Sequence, residues 1–98
     1  MVKTQNGGVI LSGGGRLRIG LADDNVGFCR VLQEFFESMS EMKVAAVAHD
    51  GPTALEMVRN VDLDALLLDI ILPKLDGFAV LEKTRELPKR PRIIVFSA

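Results

Sequence analysis

The run Ala65-Leu66-Leu67-Leu68-Asp69-Ile70-Ile71-Leu72 restricts the fold of this chain more than any other feature. It is apolar on both faces, as a central parallel strand is when helices cover both sides of its sheet. Pro73 ends it. Leu17 to Ala22 reads as a first strand, running into Asp23-Asp24. From Val26 to Met39 the apolar residues Phe28, Val31, Leu32, Phe35, Phe36 and Met39 recur at helical spacing and predict one buried face. Val44 to Ala48 predicts a second strand. Pro52 suits the first turn of a second helix whose core stripe is Ala54, Leu55, Val58 and Val61. Beyond the apolar run, Asp76 can cap a third helix from Gly77 to Leu87, with Phe78, Val80, Leu81 and Thr84 inward. Pro88 and Pro91 close that helix, and Arg92 to Ser97 reads as a fourth strand. This β-α-β-α-β-α-β order predicts an α/β fold, a doubly wound parallel sheet with right-handed crossovers.

The chain has 98 residues, room for one domain and not two. Residues 1–15 stand apart. Gly7-Gly8 and Gly13-Gly14-Gly15 flank the short apolar stretch Val9-Ile10-Leu11, and we expect a flexible Gly-rich leader there. The glycine triplet lacks the Lys-Ser/Thr that completes a phosphate-binding loop. Twelve Lys+Arg against thirteen Asp+Glu leave a net charge of −1, so a strongly basic nucleic-acid footprint is absent. A single cysteine, Cys29, cannot form an internal disulfide, which fits a reducing, cytoplasmic setting. No apolar run reaches the roughly 20 residues that span a bilayer.

In a doubly wound sheet, ligands bind beyond the carboxyl ends of the strands. The polar groups expected there are Asp23, Asp24, Asp69 and Ser97. Asp69 interrupts the most hydrophobic segment of the chain, and a lone buried carboxylate costs several kcal/mol unless paired, protonated or metal-bound. Three carboxylates at one sheet edge repel each other, and a divalent cation relieves that repulsion. Oxygen-only ligands favour Mg²⁺ over zinc. A carboxylate beside Mg²⁺ can attack phosphorus, with positioning and charge stabilisation supplying most of the catalysis. Plainer readings stand beside this one. Asp69 could cap a turn, and Asp23 or Asp24 could cap the first helix. Ser97 could be an ordinary strand-end residue. His49, the only histidine, is expected at the end of the second strand or in the loop after it, with no phosphorylation or metal role. Cys29 reads as a small packed side chain, and Lys89-Arg90-Pro91-Arg92 as a solvated loop.

These residues resemble the receiver domain of two-component response regulators. The resemblance covers residues 16–98 and rests on four segments. They are Leu21-Ala22-Asp23-Asp24-Asn25, Leu67-Leu68-Asp69-Ile70-Ile71-Leu72-Pro73, Asp76-Gly77 and Phe96-Ser97-Ala98. It implies a flavodoxin-like (receiver) fold with strand order 2-1-3-4-5. It also implies that Asp69 accepts a phosphoryl group from a histidine kinase or histidine phosphotransfer protein. Asp23, Asp24, Asp69 and the backbone carbonyl of Ile71 would hold Mg²⁺, and Ser97 would be the switch hydroxyl. Such a domain is a phosphoacceptor switch and not an enzyme in the ordinary sense, although the family assists its own phosphorylation and dephosphorylation.

Ala22-Asp23-Asp24-Asn25, Met42-Lys43-Val44, Val47-Ala48-His49-Asp50-Gly51 and Leu68 to Glu82 are similar to the receivers of sporulation-controlling regulators of endospore-forming Firmicutes. In those proteins the receiver controls an attached DNA-binding domain, so nucleic acid would be reached through another domain and not by this chain. Against the family pattern the last α-β-α portion has no counterpart. The lysine and the switch aromatic of the fifth strand are therefore also without counterparts, and residues 16–98 read as a partial receiver within a longer protein. The fourth strand would then be an exposed apolar edge open to self-association. Two other functions compete. One is a non-phosphorylatable pseudo-receiver or truncated interaction module. The other, an aspartate-nucleophile phosphohydrolase, is disfavoured because Ile71 stands where that class has a second aspartate.

Overall fold

A computed structural model describes residues 16–96. The expected leader, residues 1–15, and the expected switch residue Ser97 lie outside them. Seven elements follow in order: β1 (Leu17–Ala22), α1 (Val26–Glu37), β2 (Met42–Ala48), α2 (Gly51–Asn60), β3 (Ala65–Asp69), α3 (Gly77–Thr84) and β4 (Arg92–Phe96). The strands form one parallel sheet of order β2-β1-β3-β4 among the described residues. The chain moves outward from β1 to β2, then crosses back over β1 to β3 and on to β4. Crossovers of one hand that run in opposite directions place their helices on opposite faces. Accordingly α1 packs on one face, and α2 and α3 on the other.

The two faces are unequally filled. Under α2 and α3 lies the larger core, which includes Met57, Val58, Leu63, Leu66, Leu68 and Val80. Under α1 a smaller cluster joins Ile19, Leu21 and Val44 to Leu32, Phe36 and Leu67. One helix covers β1 and β2 on that side, and this changes the expected inner face of α1. Cys29 is its buried residue, with Leu32 and Phe36 packed against the sheet. Phe28, Val31 and Phe35 are exposed, Val31 by 62%. The apolar stripe of α1 is wider than the half-sheet beneath it, and its surplus side looks toward β4, where the Phe28 and Phe96 rings lie 6.1 Å apart.

Other boundaries differ from the expected ones for local reasons. β3 ends at Asp69 and does not reach Leu72, because Ile71 N–H donates to Asp69 Oδ1 and turns the backbone out of the sheet. α1 stops at Glu37, where Ser38 donates its hydroxyl back to the Phe35 carbonyl. α3 stops at Thr84, after which Glu86 and Leu87 make tighter i→i−3 bonds ahead of Pro88. Phe78 stands away from the sheet, 59% exposed, whereas Val80 and Thr84 are buried as expected. Val61 has left α2 and is its extended C-cap. Among the described residues β4 is an edge strand, and Ile94, 56% exposed, and Val95 lie open on it. No helix among the described residues is long and apolar enough to cross a membrane.

Candidate functional site

The strand order reverses between β1 and β3, so their carboxyl ends frame the crevice where such sheets bind ligands. Asp23 follows β1 and Asp69 is the last residue of β3. Asp23 is 3% exposed and Asp69 5%, while Asp24 is open to solvent. One carboxylate oxygen from each of the three lies within 4.8 Å of the others.

Local hydrogen bonds set these carboxylates. Asp23 N–H donates to the Ala48 carbonyl (3.0 Å), which continues the β1–β2 ladder past the strand end. Asp23 Oδ1 accepts from Asn25 N–H at 2.8 Å. The capping role that Asp23 or Asp24 could have taken falls to Asn25, whose Oδ1 accepts from Phe28 N–H at 2.9 Å. Both aspartates are thereby left free for the crevice. Asp69 Oδ1 accepts from Ile71 N–H at 3.0 Å, which places Ile71 beside the site in the β3–α3 loop.

That loop is held closely against the sheet edge. Gly77 N–H donates to the Ile70 carbonyl at 2.6 Å. A Cβ on Gly77 would come within 2.5 Å of the Asp69 carbonyl oxygen and of Ile70 Cα, so only glycine fits. Asp76 caps α3 as expected, accepting from Ala79 N–H at 2.9 Å. Gly51 N–H reaches the Pro73 carbonyl at 3.1 Å, and Lys74, in a left-handed conformation with φ 71°, sets its ammonium 3.6 Å from Asp50. Asp50 also caps α2, and the Thr53 N–H that it accepts holds its carboxyl below the ordinary range.

The electrostatics of the crevice are unbalanced. Neither of the two ion pairs among the described residues involves Asp23, Asp24 or Asp69. Burial pushes the Asp23 carboxyl upward. The Asn25 N–H opposes this, and the negative charges of Asp69 and Asp24 add to it. The Cys29 thiol is raised by its burial first, then by Asp23 and Asp24. Two buried carboxylates and one exposed one, all oxygen donors without a cationic partner, suit a hard divalent ion such as Mg²⁺. The structure therefore brings Asp23, Asp24 and Asp69 together, with Ile71 adjoining. Ser97 lies outside the described residues, and its chain neighbour Phe96 is the register partner of Asp69. Sequence reasoning gave His49 no part here, yet its ring contacts the main chain of Asp23 (2.9 Å, Nδ1 to carbonyl oxygen). No pattern along the sequence marks that contact, because it depends on the pairing register of β1 and β2.

Residues 19–98 match the model of the response regulator receiver domain. The chain belongs to that family. Among solved structures it is similar to the response regulator domain of CheB from Thermotoga maritima, at 30% identity and TM-score 0.77 over 84% of this chain and 60% of that one. It is also similar to a chain of the CheX–CheY–BeF₃–Mg²⁺ complex from Borrelia burgdorferi, at 31% identity and TM-score 0.79, covering 87% and 64%. A third likeness is to the phosphorylated cyanobacterial phytochrome response regulator RcpA, at 32% identity and TM-score 0.74, covering 85% and 66%. The chain thus spans about 60% to two thirds of the length of these relatives. Its fold is the flavodoxin-like α/β fold of receiver domains, with four parallel strands.

Proposed function

We propose that this chain carries the phosphoacceptor half of a two-component or phosphorelay switch, in which Asp69 takes a phosphoryl group from a phosphohistidine. The observation that carries the reading is the triad Asp23, Asp24 and Asp69, drawn within 4.8 Å at the strand ends, with no ion pair to any of the three among the described residues. Asp23, Asp24, Asp69 and the backbone carbonyl of Ile71 would hold Mg²⁺. When bound, the ion supplies charge compensation for the carboxylates and for the incoming phosphoryl oxygens. Asp69 Oδ1 is engaged by Ile71 N–H, so Oδ2 is the attacking oxygen. Its lone pair forms the O–P bond as the P–N bond to the donor imidazole breaks, and the departing nitrogen keeps that electron pair. Ser97 follows the residue in register with Asp69 and would offer its hydroxyl to a phosphoryl oxygen.

Two relatives support the reading, one solved in a complex with BeF₃ and Mg²⁺ and one in phosphorylated form. The partner is a histidine kinase or histidine phosphotransfer protein. Phe28, Val31 and Phe35 are exposed on α1, the helix that follows Asp23 and Asp24, and this apolar side suits its docking. Transcription control in the longer protein, and sporulation as its output, rest on the stretches similar to sporulation regulators. A second reading, a non-phosphorylatable interaction module, draws on β4, whose open edge carries Ile94 and Val95 and can pair with another chain.

The deciding experiment is incubation with acetyl phosphate and Mg²⁺ followed by intact mass. Gain of one phosphoryl group, absent in Asp69→Ala, supports the switch. Failure of a chain carried on through the family's fifth strand to gain it would leave the interaction module.

A further inference from the structure

The β1–β2 pairing contains one irregularity, and it decides what stands opposite the acidic crevice. From Leu17 to Ile19 each residue of β1 is in register with the residue 25 positions on, Leu17 with Met42 and Ile19 with Val44. From Gly20 to Ala22 the offset is 26, Gly20 with Ala46 and Ala22 with Ala48. One residue of β2, Ala45, is extra. Ala45 and Ala46 both pack toward the core under α2 and α3, although neighbours in a regular strand face opposite sides. The bulge therefore inverts the alternation of the rest of β2. Val47 then faces α1 and Ala48 the opposite core. The next residue, His49, arrives level with Asp23 on the side of Cys29.

There His49 Nδ1 lies 2.9 Å from the Asp23 carbonyl oxygen, and Cys29 Sγ lies 3.4 Å from the same oxygen. A carbonyl only accepts, so both side chains donate. A proton must therefore sit on Nδ1, facing the carbonyl. This also means that the 3.9 Å approach of Cys29 Sγ to His49 Nδ1 is two donors sharing one acceptor. The carbonyl belongs to the peptide unit that joins Asp23 to Asp24, so anchoring it restrains the backbone that carries both carboxylates.

We propose that His49 is a positioning residue for the cation site, holding the Asp23–Asp24 peptide so that both carboxylates converge with Asp69. The inference rests on the cation reading given above. Hydrogen-bond partners of metal ligands typically change metal affinity by about 10- to 100-fold when removed. The test uses Mn²⁺ as the probe, with free ion followed by electron paramagnetic resonance and Mg²⁺ added as competitor. It compares wild type with His49→Ala, His49→Gln and His49→Asn. The amide nitrogen of Asn occupies the place of Nδ1, and that of Gln the place of Nε2. A role through Nδ1 gives about a ten-fold weaker dissociation constant in H49A and H49Q, with H49N restored to within about three-fold of wild type. A role in packing alone does not separate Asn from Gln.

Imidazole nitrogen NMR of the metal-free wild type supplies a readout that needs no cation, with the proton expected on Nδ1. His49 is exposed, so all three variants are expected to fold, and far-UV circular dichroism checks that they do. A bare Nδ1 with the only proton on Nε2, unchanged Mn²⁺ affinity in H49A, or equal loss in H49N and H49Q overturns the inference while the cation reading stands. Absence of Mn²⁺ binding in wild type overturns the cation reading and this inference with it.

Discussion

Replacing Asp23 by Asn removes one charge from the crevice and keeps the oxygen that accepts from Asn25 N–H. Asp23 and Asp24 are neighbours in any conformation, so the repulsion that folding adds is chiefly the one with Asp69. For unit charges 4.8 Å apart, Coulomb's law gives about 1 kcal/mol at the dielectric constant of water and about 3.5 kcal/mol at an effective value of 20. We expect the metal-free Asn variant to be more stable than wild type at pH 7 by about 1 to 3 kcal/mol. For a domain of this size each kcal/mol raises the melting temperature by about 4 to 8 °C. The pH dependence has a definite sign. The Asp23 carboxyl lies above its ordinary 3.8 in the folded protein, so the folded state binds its proton more tightly than the unfolded chain. The Asp23 contribution to wild-type stability therefore falls as pH rises from 3.8 through the raised folded value. Below that window Asp23 is protonated in both states, and the advantage of the variant disappears. Thermal melts by circular dichroism between pH 3 and pH 8, in a chelator, measure this difference. Saturating Mg²⁺ reverses the order, because an ion at about 1,000 times its dissociation constant adds about 4.1 kcal/mol to the species that binds it. A folded Asp23→Asn protein that melts at or below the wild-type temperature at pH 7 without metal would refute the electrostatic account.

Leu66→Ala empties a site at the centre of the larger core and is expected to cost about 2 to 5 kcal/mol in chemical denaturation. Gly77→Ala forces a methyl group against the Asp69 carbonyl oxygen and Ile70 Cα, with an expected loss of about 1 to 3 kcal/mol and weakened Mn²⁺ binding in the same sample. Asp76→Ala removes the cap of α3 and costs about 1 kcal/mol by thermal melting, leaving cation affinity near wild type. Ile94→Lys places a charge on the open strand and is expected to lower the sedimentation-average mass at high protein concentration. An unchanged mass distribution would remove β4 as a self-association surface.

The sheet was legible because each strand announces itself locally. Leu17–Ala22 begins and ends where the pattern indicates, and the unbroken apolar run around Leu66-Leu67-Leu68 could serve only a strand buried on both faces. The acidic triad followed from the same logic, since strand ends of one parallel sheet must meet at one edge. Features that depend on which neighbour is present were harder to read. Helical spacing showed that α1 has an apolar side, but not that the sheet beneath α1 is too narrow to cover Phe28, Val31 and Phe35. The end of β3 was hidden by the apolar Ile70-Ile71-Leu72, because the turn is made by the Asp69 side chain accepting from Ile71 N–H. His49 was illegible for a third reason. A single unpaired residue in the strand that leads into it moves it into place, and two successive alanines within Val44-Ala45-Ala46-Val47 give no sign of which one is extra.

The three loops of the crevice are stitched to each other through backbone atoms. Asp23 N–H is bound to Ala48 at the end of β2 and Gly51 N–H to Pro73 in the β3–α3 loop, which Gly77 N–H closes on Ile70. A transient opening that bares Asp69 must break bonds belonging to more than one loop. We expect the crevice to open as one cooperative unit, with the Asp23 and Gly51 amides exchanging with solvent deuterium at a common rate. Whatever reads the state of Asp69 meets a rim that moves together or not at all.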